Sequence, residues 1–178
     1  NTADGFANYS STNLSTAGTT DNVNDGTSRT LSASTSVNSI RFSGGATHTL
    51  NAGTLLPVNT GGILGQTNAG HGFTGAGQIT SGSGELNVFV NQNTMTIGAQ
   101  ITGDIAVTKA GGATLTLSGN NNYTGETYLQ AASGASGLSG AVNLNTTGAN
   151  GTTVVAIPGN LHIHNTTVTE SLANQVRN

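Results

Sequence analysis

His162 and His164 are the residues of this chain whose types and spacing best suit metal binding. On a β-strand, residues two apart project from the same face, so both imidazoles would lie on one face while Leu161 and Ile163 occupy the other. Two neutral imidazoles could bind Zn²⁺ or Cu²⁺ together with a third ligand from a neighbouring strand. The same pattern also fits two polar residues on the solvent-exposed face of a strand. We therefore take His162 and His164 as candidate metal ligands, with an exposed polar pair as the alternative.

Residues 21–26 suggest calcium chemistry. They place side-chain oxygens at alternate positions, with Asp21 first, Asp25 fifth and a glycine sixth, as calcium-binding loops do. The bidentate glutamate that closes such a loop is missing, because the polar run 33–36 follows instead. The chain is therefore expected to carry no cofactor, with calcium bound by Asp21 and Asp25 as the alternative to an ordinary solvated turn.

The remaining titratable side chains do not suggest catalysis. His48 and His71 each stand alone among polar residues, and the seven acidic residues are scattered along the chain. The chain has no cysteine, which excludes disulfides, zinc–thiolate sites and thiol catalysis. No residue is predicted to be catalytic, and the chain is not expected to be an enzyme.

The composition excludes several classes of partner. The net charge is −3 with only four Lys and Arg residues, so the chain lacks the basic stripe that nucleic-acid binding needs. No apolar run approaches the length of a transmembrane helix, so this segment is not expected to insert into a membrane. Only 6% of the 178 residues are charged, against about a quarter in an ordinary domain. The hydrophobic residues, 34% of the chain, fall into alternating runs, which favours repetitive β structure over disorder.

Alternating apolar residues predict a series of short β-strands that would position these side chains. Clear runs occur at 86–90, 94–97, 105–108 and 114–117, where every second residue is apolar. Gly, Asn and Ser separate the runs at intervals of roughly ten residues. This spacing alone fits either a β-sandwich or a stack of β-coils.

Residues 111–130 have the most distinctive sequence, GGATLTLSGNNNYTGETYLQ. This segment resembles the autotransporter-associated β-strand repeat, the passenger-associated repeat of bacterial type V secreted proteins, in which Gly-Gly-Thr-Leu-Thr-Leu-Ser-Gly precedes Asn-x-Tyr-x-Gly-x-Thr. Ala113 and Glu126 depart mildly from that pattern. Residues 37–53 and 85–103 are more loosely similar to segments that precede this repeat. The resemblance implies a right-handed parallel β-helix in an exported protein that is extracellular or displayed on the cell surface.

Tyr123 lies at the corner of this repeat. Its ring could form a platform on which a glycan stacks, or it could pack over the next coil as part of the repeat. The resemblance favours packing, because the repeat itself carries an aromatic residue at this position.

The predicted architecture is an all-β parallel β-helix, or β-solenoid, with on the order of 20–25 residues per coil. Residues 1–35 are predicted to form an irregular N-terminal strand or cap, because repeat arrays need atypical ends that cover the core. Residues 36–178 are predicted to form the coils, with the recognisable repeat at about 111–130.

The predicted function is that of a non-enzymatic structural or adhesive module of a secreted or surface-displayed bacterial protein. Such a module could assemble end to end into fibres. The predicted partners are copies of the chain, packed end to end or laterally, further β-helix coils of a longer chain, and surface glycans. The alternative is a β-helix that binds or degrades polysaccharide, and degradation would require acidic residues converging on one groove.

Overall fold

The computed structural model describes residues 8–130, 140–145, 155–164, 166–170 and 175–176. Within these residues all regular structure is β, and each pairing between strands is parallel. The predicted all-β parallel β-helix is therefore confirmed, and its right hand stays a prediction. The described residues include no helix that is long and apolar enough to cross a bilayer.

Three parallel sheets form the sides of the solenoid among the described residues, and from β3 to β11 the chain visits them in turn. Sheet A contains β1 (Asn22–Asp25), β3 (Ser39–Phe42), β6 (Gly62–Gln66), β9 (Glu85–Gln92), β12 (Ala106–Ala110), β14 (Thr127–Gln130) and β16 (Leu161–His164). Sheet B contains β2 (Thr30–Leu31), β4 (Thr47–Leu50), β7 (His71–Thr74), β10 (Thr94–Ile97), β13 (Thr114–Leu117), β15 (Ala141–Leu144) and β17 (Thr167–Glu170). Sheet C contains β5 (Leu55–Val58), β8 (Gln78–Ser81) and β11 (Gln100–Ile101).

The core is a set of columns of inward-facing side chains. Strand alternation buries every second residue, so each coil adds one side chain to each column. The central column of sheet A consists of Val23, Ile40, Ile63, Val88, Lys109, Leu129 and Ile163. Successive members lie 17, 23, 25, 21, 20 and 34 residues apart along the chain. Four of these six steps fall in the predicted range of 20–25, and the first and last do not.

The N-terminal end of the solenoid is covered by the chain that precedes β1. Ser11 forms an isolated parallel bridge with Val23, and Leu14 is fully buried. The strands β1 and β2 lie within the predicted segment 1–35 and already pair with strands of the segment 36–178. Residues 1–7 lie outside the described residues, and the division of the chain at residue 35 stays a prediction.

The corner of the repeat at 111–130 joins three coils. The Asn121 side chain accepts a hydrogen bond from the Ile101 backbone N–H at 2.8 Å and donates one to the Ala156 carbonyl at 2.7 Å. Tyr123 is 1% exposed, and its hydroxyl lies 2.6 Å from the Thr127 hydroxyl. Burial raises the pKa of Tyr123 to about 12. Tyr123 is therefore a packing residue of the corner, as the resemblance favoured, and offers no ring to a glycan.

Candidate functional site

His162 lies on the outer face of sheet A, where β16 places it beside Tyr128 of β14. The two rings are stacked, with centroids 4.7 Å apart and planes 12° from parallel. The His162 Nε2 atom lies 3.2 Å from a carboxylate oxygen of Glu126, and the Tyr128 hydroxyl donates a hydrogen bond to that same oxygen. That hydrogen bond from Tyr128 is the main cause of the lowered pKa of Glu126, and it raises the pKa of Tyr128. His162 therefore belongs to an exposed aromatic and acidic cluster.

His164 lies two residues along the same face, and its register partner is Gln130. Among the described residues, no three His, Cys, Asp or Glu side chains come together as a metal site would require. The only acidic group that the structure places against either histidine is Glu126, at His162. Metal binding by His162 and His164 stays a prediction. Among the described residues, the carboxylate of Glu126 is the one acidic group near them that could act as a further ligand.

Asp21 and Asp25 belong to separate hydrogen-bond networks. Asp25 is buried and accepts hydrogen bonds from the Leu14 N–H at 2.9 Å and from Arg29 Nε at 3.0 Å. Burial alone would raise the pKa of Asp25, but the hydrogen bonds, first among them that of Arg29, outweigh it and hold the pKa below its ordinary value. Asp21 instead accepts hydrogen bonds from the Ser10 hydroxyl and the Gly18 N–H, both at 2.8 Å. The Asp25 carboxylate already has Arg29 as a structural partner, and a calcium ion bound to Asp25 would have to displace it.

His48 and His71 lie inside the solenoid, where sequence reasoning did not place them. Both imidazoles contact Phe42, with ring centroids 5.2 Å away for His48 and 5.1 Å for His71, and Phe73 completes the cluster. Neither ring nitrogen of His48 has a hydrogen-bond partner, and burial lowers its pKa to about 4. The Nδ1–H group of His71 donates a hydrogen bond to the Ala69 carbonyl at 2.9 Å, and burial lowers the pKa of His71 as well. The signal was present in the sequence, since His48 alternates in phase with Leu50.

Gly65 makes this aromatic cluster sterically feasible. It faces inward between Phe42 and the next coil. A Cβ atom at this position would lie 2.1 Å from His71 Nε2 and 2.8 Å from Met95 Cε. The missing side chain therefore provides the space that the His71 ring occupies.

An apolar groove of about 280 Å³ crosses the outer face of sheet A near the N-terminal end. Arg41, Leu64 and Phe89 are neighbours in one outward column, and Phe89 is 42% exposed. The Arg41 guanidinium lies 5.4 Å from the centroid of the Tyr9 ring, within the range of a cation–π interaction. Sequence reasoning missed this groove. The available signal was that Leu64 and Phe89 are apolar at positions whose alternation faces outward.

The carboxylates of Glu85 and Glu126 lie in the same outward column of sheet A, with one residue between them. Glu85 pairs with Ala106, and the register between β12 and β14 places Glu126 next in the column. Two strand spacings separate the Cα atoms of Glu85 and Glu126 by roughly 10 Å. The Glu85 carboxylate accepts a hydrogen bond from the Thr108 hydroxyl at 2.5 Å. A glycosidic general acid requires a raised pKa, whereas the pKa of Glu126 is lowered, so Glu126 does not have the electrostatics of a general acid.

Comparison of the chain with protein-family models, with curated proteins and with solved structures finds no match.

Proposed function

We propose that this chain is a non-enzymatic structural and adhesive β-helix module. The observation that carries the proposal is the uninterrupted stack of parallel strands around an apolar core. Sheets A and B each contain seven strands, and residues from Leu14 to Ile157 form one buried cluster. Such a solenoid has few sites at which a protease could engage extended chain, because its backbone hydrogen bonds are made within the sheets. A rod of this kind suits a stalk or surface layer.

We further propose that the protein acts at the cell surface or outside the cell. The support is the resemblance of residues 111–130 to the passenger-associated repeat, together with the low charge of the chain. Its proposed partners are copies of itself, further coils of a longer chain, and surface glycans. The described outer faces suggest neither a basic stripe for nucleic acid nor an apolar surface of membrane dimensions.

Electron microscopy of the purified chain tests this proposal. In negative stain at several concentrations, we expect rods of constant width, either isolated or joined, and slow digestion by a non-specific protease. Isolated rods would indicate a stalk segment, whereas long filaments would indicate an assembly subunit. A polysaccharide hydrolase or lyase activity that is lost in Glu126→Gln would overturn the proposal.

Polysaccharide binding on the outer face of sheet A is a second candidate function. The specific observation is that this face carries aromatic rings in two places, where Phe89 lines the groove and the half-buried Tyr128 stacks on His162. Aromatic faces of this kind stack on sugar rings, and Glu126 could accept hydrogen bonds from sugar hydroxyls. In affinity electrophoresis through soluble polysaccharides, Phe89→Ala should abolish any retardation. Ile163→Ala, at the other exposed large hydrophobic residue of the described chain, should leave it unchanged.

A further inference from the structure

The outer face of sheet B carries a lattice of threonine side chains. In five successive strands, β2 to β13, the outward positions are threonine except for one glycine: Thr30, Thr47, Thr49, Gly72, Thr74, Thr94, Thr96, Thr114 and Thr116. Thr94 and Thr96 pair directly with Thr114 and Thr116, which gives a two-by-two block. The array continues through Asn143 to Thr169 in the last strands of the sheet.

These hydroxyls are free to bind something other than the protein. Within the part of the chain that the structure describes, none of the four block threonines Thr94, Thr96, Thr114 and Thr116 uses its hydroxyl in a hydrogen bond to another protein group. The threonines therefore do not form hydrogen-bonded ladders that would explain the array as a device for stability. Water must satisfy these hydroxyl groups in solution.

The outer face of sheet B also differs from that of sheet A in charge and regularity. Sheet A presents Arg41, Glu85 and His162 outward, whereas the outward positions of β2 to β13 in sheet B carry no charged residue. The pairing of sheet A shifts at a bulge between Gly65 and Gln66, whereas the strand register of sheet B is continuous from Thr47 to Thr116. From β2 to β13, sheet B therefore presents the more regular surface, without charged side chains.

The spacing of the lattice follows from β geometry. Neighbouring strands lie about 4.8 Å apart, and residues two apart along a strand lie roughly 6.7 Å apart. Threonine is β-branched and its χ1 torsion is restricted, so its hydroxyl and methyl groups are held in place before any ligand binds. The threonine side chains therefore lose little conformational entropy when molecules bind to this surface. The face is thus a rigid two-dimensional array of alternating hydroxyl and methyl groups.

We propose that the outer face of sheet B, centred on Thr94, Thr96, Thr114 and Thr116, binds ice. Rows of oxygen atoms in ice crystal planes repeat at distances close to both spacings of this array. Hydroxyl groups on such a grid can hold water molecules in lattice positions as donors and acceptors, while the methyl groups between them favour an ordered hydration shell. A charged side chain would hydrate strongly and disturb that order. This site does not depend on the proposed adhesive function.

A hollow of about 480 Å³ interrupts the array beside Gly72 and Gly98. Gly72 has a φ of 147°, and a Cβ atom there would lie 1.9 Å from the Thr96 carbonyl oxygen, so a side chain cannot complete the column at this point. The hollow separates Thr47, Thr49 and Thr74 from the block that begins at Thr94. Thr96 belongs to the block, lines the hollow and is exposed, which makes it the position at which a bulky residue would do most damage.

Ice-crystal growth in the presence of the purified chain tests the proposal. We expect the wild-type protein to shape single ice crystals, to open a gap between their melting and freezing temperatures, and to slow recrystallisation in frozen sucrose. Thr96→Tyr should lose most of each effect, because the ring stands above the plane of the hydroxyls. Thr116→Lys, which introduces a charge without a bulky ring, should do the same.

Asn87→Tyr is the matched control. Asn87 is an exposed strand residue of the same coil on the outer face of sheet A, so its substitution leaves the threonine face intact. Circular dichroism and the melting temperature of each variant establish that the fold is retained. The proposal is wrong if the wild-type chain has no effect on ice, or if folded Thr96→Tyr and Thr116→Lys act like the wild type. Loss of activity in Asn87→Tyr alone, or binding to insoluble chitin or cellulose with no effect on ice, would also overturn it.

Discussion

At the scale of single residues, the histidines differ by the side of the sheet on which they lie. His162 is on the outer face, where it stacks on Tyr128 and faces a carboxylate. His48 is fully buried on the inner face, where neither nitrogen has a partner. Burying an imidazolium without a counter-charge in contact is costly, so the fold requires His48 to be neutral. One residue type therefore serves as a surface group in one place and as a core group in another.

The buried histidine predicts that the protein is destabilised by mild acid. His48 has a pKa of about 4 in the folded state because of burial, against an ordinary value of 6.5. Between these values the unfolded chain binds more protons, so the free energy of unfolding is at its full value above pH 6.5 and falls as the pH drops towards 4. The loss from His48 should reach about 3 kcal/mol. Urea unfolding at pH 7 and at pH 4.5 measures this loss in the free energy of unfolding.

Two variants separate this effect from general acid denaturation. His48→Leu should reduce the loss of stability between pH 6.5 and 4 by the part that His48 contributes, while the part that arises from the buried His71 remains. His71→Leu should remove a further part of the dependence, because burial also lowers the pKa of His71. If His48→Leu retains the full wild-type slope, the acid sensitivity does not arise at His48.

The buried Lys109 predicts that the free energy of unfolding also depends on pH in the alkaline range. Its side chain is fully buried in the central column of sheet A, its ammonium group donates to the Gly111 carbonyl at 2.5 Å, and burial lowers its pKa to about 8. The folded state binds fewer protons than the unfolded chain between pH 8 and 10.5, so stability should rise across that window, by about 3 kcal/mol. Lys109→Met should be more stable than the wild type at pH 7, with a difference that shrinks by pH 10.5. Urea unfolding of both proteins at the two pH values checks this, and a Lys109→Met variant that is less stable at pH 7 would show that the Gly111 hydrogen bond outweighs desolvation.

At the scale of elements, alternation predicted the strands well and the polar members of the core poorly. The runs at 94–97 and 114–117 were predicted from period-two patterns and are β10 and β13. Lys109 and His48 occupy inward positions in phase with apolar neighbours, although lysine and histidine are seldom fully buried. The buried role of Asn121 required knowledge of the coils on either side, because its partners Ile101 and Ala156 are 20 and 35 residues away. Contacts between coils depend on loop lengths, which alternation does not specify.

Gly72, in β7, and Gly53, in the turn before β5, should differ sharply in how much an added side chain destabilises the protein. Gly72→Ala should destabilise the protein by more than about 3 kcal/mol or prevent folding, because its Cβ atom would overlap the Thr96 carbonyl oxygen in the paired strand. Gly53 has a φ of 80°, but a Cβ atom added there would meet no other atom within 4 Å, so Gly53→Ala should cost only the strain of the left-handed conformation, on the order of 1 kcal/mol. Thermal unfolding of both variants measures the difference. Equal effects would indicate that the β7–β10 pairing relaxes to accept a side chain.

At the scale of the whole molecule, the two ends of the described solenoid are unlike. Leu14 covers the core at the N-terminal end, where its N–H is bound by the buried carboxylate of Asp25. In the last coil, Ile163 continues an inward column behind the buried Leu129 and is nevertheless 53% exposed. Among the described residues, β16 and β17 each pair with one strand, as β2 does at the N-terminal end. The two ends therefore differ in exposed apolar surface, which Ile163 supplies at one end and the buried Leu14 does not at the other.

This asymmetry predicts how residues 1–178 associate when no further coil covers Ile163. A head-to-tail fibre would need the covered N-terminal end to accept the exposed end of the next copy, whereas two exposed ends can meet in a closed pair. Light scattering across a concentration series should therefore show a dimer that Ile163→Lys dissociates, because the substitution places a charge in the apolar contact. Phe89→Lys alters the other exposed large hydrophobic residue of the described chain, on a lateral face, and should leave the dimer intact. If Phe89→Lys dissociates the assembly and Ile163→Lys does not, the copies associate through the outer face of sheet A, and the groove there is an assembly contact.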